Sequence, residues 1–323
     1  MKRLLGITIA TMLAVSATQA QNCDSLYVLS LKLFDQKAYQ ASLDTISSII
    51  NTCPAKTDYY LHQAKCYSQL KNTVGTMNAL NGAIQADSTC ISAWATKALL
   101  LTQAGLNEQA ITAYEKTLSL IPITDSSTKI YYTNLSALYI LTNRYDDAYL
   151  LLNDLCHKDS TDAKMLTNLS ACAIYSGRIN EAEWSLSKFM AIDPQNTDCL
   201  INMGFCKEHK HEYDSAIYYY DQALRIKPNE AYALSNRGYA KYALGEFDAA
   251  LADINLAITY DPSNSYAYRN RALLHFAIDQ NSDACSDLQT ALDLGYTKMY
   301  GNEVSQLQQE KCSKNIKKRK SKN

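Results

Sequence analysis

The 323-residue chain has only five prolines and ten glycines, too few for a loop-rich or low-complexity protein. Five histidines and no Cys-x-x-Cys spacing leave little from which to build a structural metal site, and none is expected. No nucleophile, paired-carboxylate or phosphate-loop motif occurs, so the chain is not expected to be an enzyme or to carry a cofactor. Outside the first 20 residues no apolar run approaches the roughly 20 residues that cross a bilayer, so a transmembrane protein is not expected either.

The scarce prolines are placed regularly. Pro194, Pro228 and Pro262 lie 34 residues apart, and Pro54 and Pro122 lie 68 apart, twice that distance. A fixed period of this size marks a solenoid whose units bury their apolar faces against their neighbours, which makes a binding scaffold the first expectation. In the unit ending at Pro262, Leu234, Gly238, Ala250, Ile254 and Ala257 recur at helical offsets. The spacing predicts a first helix near 231–243, a turn at Leu244-Gly245-Glu246, a second helix near 248–260 and a stop at Asp261-Pro262. Thirty-four residues earlier stand Leu200, Gly204, Tyr213, Ala216, Tyr220, Ala223 and Pro228, matching Leu234, Gly238, Phe247, Ala250, Ile254, Ala257 and Pro262. Small residues sit where two helices must approach, and large ones fill the space between hairpins.

This pattern resembles the tetratricopeptide repeat family, whose consensus carries leucine-glycine, a tyrosine, a mid-turn glycine, two alanines around an aromatic, and a closing proline. The resemblance implies an all-α fold, a right-handed α-solenoid of about eight helical hairpins. Stepping by 34 places units at 23–56, 57–90, 91–124, 129–162, 163–196, 197–230, 231–264 and 265–298. The unit at 57–90 departs most, with Lys71 in the glycine slot and Thr76 in the alanine slot. Extra residues in the run Ile123–Thr128 predict a bend or a widened groove. A capping helix is expected over 299–312, where Met299, Val304 and Leu307 fall at helical spacing among polar residues.

Residues 1–20 pair Lys2 and Arg3 with a short apolar run and small residues at Thr18 and Ala20, the pattern of a secretory signal cleaved after Ala20. Export to the periplasm or beyond the cell is the expectation, and nucleic acid is then not an expected partner. Residues 311–323 hold seven of the 31 basic residues and no acid, leaving 22 basic against 32 acidic residues in the body of the chain. The tail, 313–323, is expected to be disordered, with two roles open: a solvated terminus, or a contact with an anionic envelope surface.

Ten cysteines in an exported chain invite disulfides. Cys66, Cys172 and Cys206 share one small-residue core slot and read as small hydrophobes. Cys23 and Cys53 lie at adjacent ends of the first unit, and Cys285 opens the second helix of the last unit while Cys312 closes the helix after it, so bridges there would clamp terminal units that lack a neighbour.

In the family that the pattern resembles, the first helix of each unit lines the concave surface, with its sixth position facing the groove. Here that position is Asn134, Asn168, Asn202, Asn236 and Asn270 in five successive units. A row of amides can pair with the main chain of an extended peptide, or can hydrogen-bond between neighbouring helices. Nearby slots carry Phe205, Tyr232, Tyr239, Tyr242, Tyr266 and Phe276, side chains suited to binding hot spots. Arg237 and Arg271 are each followed 16 residues later by Asp253 and Asp287, which predicts a structural Arg–carboxylate pair inside each unit. A non-catalytic scaffold that grips a peptide or protein in its groove is the leading expectation. An accessory subunit of an envelope secretion, assembly or polysaccharide-handling complex, acting through the convex face and the basic tail, is the alternative.

Overall fold

A computed structural model describes residues 22–121 and 128–312 of the chain. The expected signal, the basic tail and residues 123–127 of the interrupting run lie outside the described residues. The chain divides into two compact units at Asn143. In the first, residues 22–35 form α1, followed by α2 (Tyr39–Thr52), α3 (Thr57–Gln69), α4 (Thr73–Ala86), α5 (Ile91–Gln103), α6 (Asn107–Ser119) and α7 (Lys129–Leu141). In the second come α8 (Tyr145–Lys158), α9 (Ala163–Tyr175), α10 (Ile179–Ile192), α11 (Thr197–His209), α12 (Tyr213–Ile226), α13 (Ala231–Ala243), α14 (Phe247–Tyr260), α15 (Ser265–Ala277), α16 (Asn281–Asp293), α17 (Tyr296–Tyr300) and α18 (Glu303–Leu307). No strand occurs among the described residues. Within each unit every long helix packs on the next, and in the second unit the first helices also touch one another, α11 with α13 and α13 with α15.

The hairpins are set by their turns. A single residue with positive φ follows each first helix, and in the first unit it is Lys37, Lys71, Gly105 or Asn143. In the second unit it is Gly177, His211, Gly245 or Asp279, again 34 residues apart. Glycine adopts this left-handed geometry without a side-chain penalty, so Lys71, with φ of 57°, holds a conformation that its side chain opposes. Several first helices start on a capping side chain: Asp162, Asn196 and Asn264 each accept a hydrogen bond from a backbone N–H of the first turn. The small slots work as packing requires. A Cβ on Gly204 would lie 2.5 Å from the Tyr220 ring, which is completely buried in the core beneath α11.

The end of the chain departs from expectation. A single helix over 299–312 is not present. Gly301, with φ of 92°, interrupts the run, so α17 ends at Tyr300, α18 starts at Glu303, and residues Gln308–Cys312 continue as a π-helical turn. Val304 is fully buried in the last core cluster, which also holds Leu288, Tyr296 and Cys312.

Candidate functional site

The charged pairs in the second unit are built from first-helix arginines. Arg237 donates from Nε and Nη2 to the two carboxylate oxygens of Asp253, at 2.7 and 2.6 Å, and Arg271 grips Asp287 the same way at 2.8 Å. Each arginine has a third bond that the sequence reading missed. Arg237 Nη1 reaches Asp221 and Arg271 Nη1 reaches Asn255, each on the second helix of the preceding hairpin. Asp221 and Asn255 stand 16 residues before their arginines, so the signal was present in the same period. Lys241 Nζ adds a further bond to Asp253, which is 5% exposed. These networks tie hairpin to hairpin and present no open site.

Two disulfides are present. Cys23–Cys53 joins α1 to the end of α2, and Cys285–Cys312 joins α16 to the final π-helical turn. The other six cysteines are free, and all but Cys90 are buried. Burial pushes the thiols of Cys156, Cys172, Cys199 and Cys206 up to about 12, which removes the thiolate that reactive cysteines need. Cys66 sits in a buried polar knot, where the hydroxyls of Ser30 and Ser42 both lie 3.0 Å from His62 Nε2.

The asparagine slot does not face a groove uniformly. Asn270 is completely buried, and its amide donates to the backbone oxygen and hydroxyl of Ser235 on α13. Asn236 is 7% exposed, and Asn134 donates to the Tyr114 hydroxyl at 3.0 Å. His62, which takes this slot in α3, is likewise buried. The slot therefore lies on the seam between successive helices, and Asn270 is withdrawn as a ligand contact. Asn168 and Asn202 are half-buried.

Of the six aromatic residues singled out from the sequence, Tyr232 is exposed, and the other five are partly covered. Phe205 packs on His209, Tyr242 lies between Tyr239 and Phe247, and Phe276 is covered by the Lys311 ammonium. Tyr266 contacts the rings of Tyr296 and Tyr300 on α17. Between Tyr239 and Tyr266 lies Arg269, its guanidinium 5.2 and 5.5 Å from the two ring centres, and its Nη2 bonded to Glu303 of α18. Tyr296 donates to the other Glu303 oxygen. Glu208, 7% exposed, accepts a bond from the Tyr220 hydroxyl, and burial pushes its carboxyl up to about 7 against the opposing pull of Arg269. Tyr175 of α9 stacks on Tyr145 at 4.7 Å. Sequence reasoning missed Arg269, Glu208, Glu303, Tyr175 and Tyr300. Glu303 and Tyr300 lie beyond the last period, and the others meet partners at non-equivalent repeat positions, so no spacing signals them.

A family model described as a tetratricopeptide repeat matches residues 91–124, and one described as the coatomer epsilon subunit matches residues 135–255. No curated protein matches the sequence. A tetratricopeptide repeat protein from Parabacteroides merdae is 17% identical, superimposing over 79% of this chain and 99% of its own with a TM-score of 0.60. The fold of the chain is that of a tetratricopeptide-repeat solenoid, and residues 91–124 match the repeat itself. The C-terminal part of a tetratricopeptide-repeat protein from Cytophaga hutchinsonii is similar over 76% of this chain and 98% of its own, at 15% identity and a TM-score of 0.54. A chain of the APC/C hetero-tetramer Cut9–Hcn1 covers 88% of this chain with 55% of its own, at 16% identity and a TM-score of 0.53. At such identities the likeness shows the fold. Among the described residues no helix is long and apolar enough to cross a membrane.

Proposed function

We propose that this tetratricopeptide-repeat protein is a non-catalytic scaffold that binds an extended peptide or protein segment on the first-helix face of its second unit. The observation that carries this reading is the exposure of three tyrosines in the second unit: Tyr175 of α9, which stacks on Tyr145, Tyr232 of α13 and Tyr300 of α17, 58%, 46% and 41% exposed. Exposed aromatic rings suit a chain that offers side chains to them. The test is a photo-crosslinker at position 232 in cells. Adducts with a defined protein segment are the expected result, and absence of adducts there, with adducts from position 218 instead, would move the site to the other face.

That other face supports the second reading, an accessory subunit docking through its second helices. A cleft of about 340 Å³ is lined by Met190, Pro194, Leu200, Tyr218, Gln222 and Ile226, with Tyr218 and Ile226 exposed. The basic residues of 313–323 would add an electrostatic contact with an anionic envelope surface. Export rests on the signal-like first 20 residues, and the two disulfides support an oxidising compartment. A mature protein starting at Gln21 in the envelope or medium fraction is the expected outcome; retention of Met1 in the cytoplasm would end the export reading.

A further inference from the structure

Ser30 of α1, Ser42 of α2 and His62 and Cys66 of α3 are all buried, and their polar atoms meet where the three helices join. The two hydroxyls are exchanged across the α1–α2 hairpin: Ser30 Oγ donates to the Ser42 carbonyl at 3.0 Å and Ser42 Oγ to the Ser30 carbonyl at 2.7 Å. A hydroxyl has one proton, so with both protons committed to carbonyls the two oxygens are left as acceptors. His62 Nε2 lies 3.0 Å from each, and the tautomer that completes the cluster carries its proton on Nε2 and donates to them. Cys66 Sγ closes the group, 3.3 Å from Ser42 Oγ and 3.8 Å from Nε2. One neutral imidazole thus holds both helices of the first hairpin on α3.

Its surroundings are hostile to a cation. The rings of Tyr27 and Phe34 on α1 flank it, with centres 5.9 and 5.3 Å away, and bring no counter-charge. Also on α1, Asp24 is paired with Lys56, and Lys32 and Asp35 are exposed. The only charged residue of α2 is Asp44, exposed and bonded to Gln40, and α4 has none. On α3 itself Asp58 and Lys65 are exposed. Among the described residues the histidines paired with carboxylates are His157 and His275, not His62. Burial pushes the His62 pKa down from the usual histidine value, Lys65 adds to this, and the pull of the Ser30 backbone and of Asp35 in the other direction does not offset it.

We propose that His62 is an acid-sensitive pin at this end of the array: gain of a proton frees the α1–α2 hairpin from α3 and bares the α3 face that it covers, while the second unit is untouched. The Cys23–Cys53 bridge keeps α1 and α2 together, so the hairpin leaves as one body. Because the folded chain resists the proton and the unfolded segment does not, the contribution of His62 is fully present above the free value of 6.5 and is lost as pH falls through the lower folded value.

Hydrogen exchange of the full, disulfide-bonded chain at pH 7.5 and pH 5.0, each corrected for the intrinsic exchange rate, tests this. Peptides from 22–69 are expected to lose protection at the lower pH, and peptides from α11 to α14 to keep theirs. His62→Asn, which puts in this slot the side chain that Asn134 and Asn168 give it, should abolish the loss. Lys65→Glu, an exposed change on the same helix, should lessen it by favouring the folded imidazolium, and this variant decides the matter alone if His62→Asn does not fold. Unchanged protection of 22–69 in the wild type would overturn the proposal. A loss of the same size in wild type and variants would also overturn it, by placing the titration on another group. So would a loss spread evenly over both units, which is general acid unfolding.

Discussion

Asp253 shows how much of this molecule's charge is structural. It accepts from Arg237 twice and from Lys241 once while nearly buried. Asp253→Ala should cost about 2–3 kcal/mol, less than a fully buried pair because the Arg237 side chain remains 20% exposed. A denaturant midpoint unchanged by the substitution would show that Asp221 alone suffices for Arg237. Glu208 behaves in the opposite sense. Its folded pKa, raised to about 7 by burial, exceeds that of a free glutamate, so the unfolded chain gives up the proton first as pH rises. The contribution of Glu208 is thus fully present below about pH 4 and lost as pH climbs towards 7. Glu208→Gln keeps an acceptor for the Tyr220 hydroxyl and cannot ionise. Relative to wild type it should gain stability between pH 4 and 7, by about 3 kcal/mol above that window. Melting curves at pH 4.5 and 7.5 check this, and a constant difference between variant and wild type would place the titration elsewhere.

At the scale of the element, the hairpin frame is legible because its marks are backbone requirements that recur. α13 begins and ends at the residues that spacing predicts, and α14 starts one residue early. The Arg237–Asp253 and Arg271–Asp287 pairs are readable for the same reason, since both partners appear at one offset in two adjacent periods. The direction of the asparagine slot is not readable. Whether Asn270 looks at solvent or at Ser235 depends on the rotation between neighbouring hairpins, which no single period encodes. The Arg269 cluster is hidden for a related reason: it joins α11, α13, α15 and α18 at different repeat positions, and α18 exists as a separate element only because Gly301 breaks the terminal run. The turn at Lys71 gives this scale its own test. Lysine holds a left-handed geometry there that glycine adopts freely, so Lys71→Gly should stabilise the α3–α4 hairpin by about 0.5–1 kcal/mol. Gly105→Ala, at φ of 71° with open space around it, should destabilise by a similar amount for the converse reason. Opposite signs in the two melting shifts are the expected result.

For the whole molecule, the decisive property is that each hairpin is supported by its neighbours in sequence. A repeat array has no central core, and its local stability falls towards ends that lack one neighbour. The two disulfides are placed at such ends: Cys23–Cys53 closes the α1–α2 hairpin, and Cys285–Cys312 holds the last turn to α16. The hairpins α9–α14 carry no bridge. Reduction should therefore loosen the protein from its described ends while leaving the middle intact. In hydrogen exchange of the full chain under reducing conditions, peptides from 22–52 and 285–312 should lose protection by roughly tenfold or more, the effect expected of a few kcal/mol of crosslink stabilisation. Peptides from α11 to α14, which hold the fully buried Tyr220 and Ile254, should keep theirs. Replacing Cys53 by Ser should reproduce the change in 22–52 alone, because the two bridges belong to different units. Uniform loss of protection along all the helices would mean that the array opens as one cooperative body, and the neighbour-by-neighbour account of its stability would have to be abandoned.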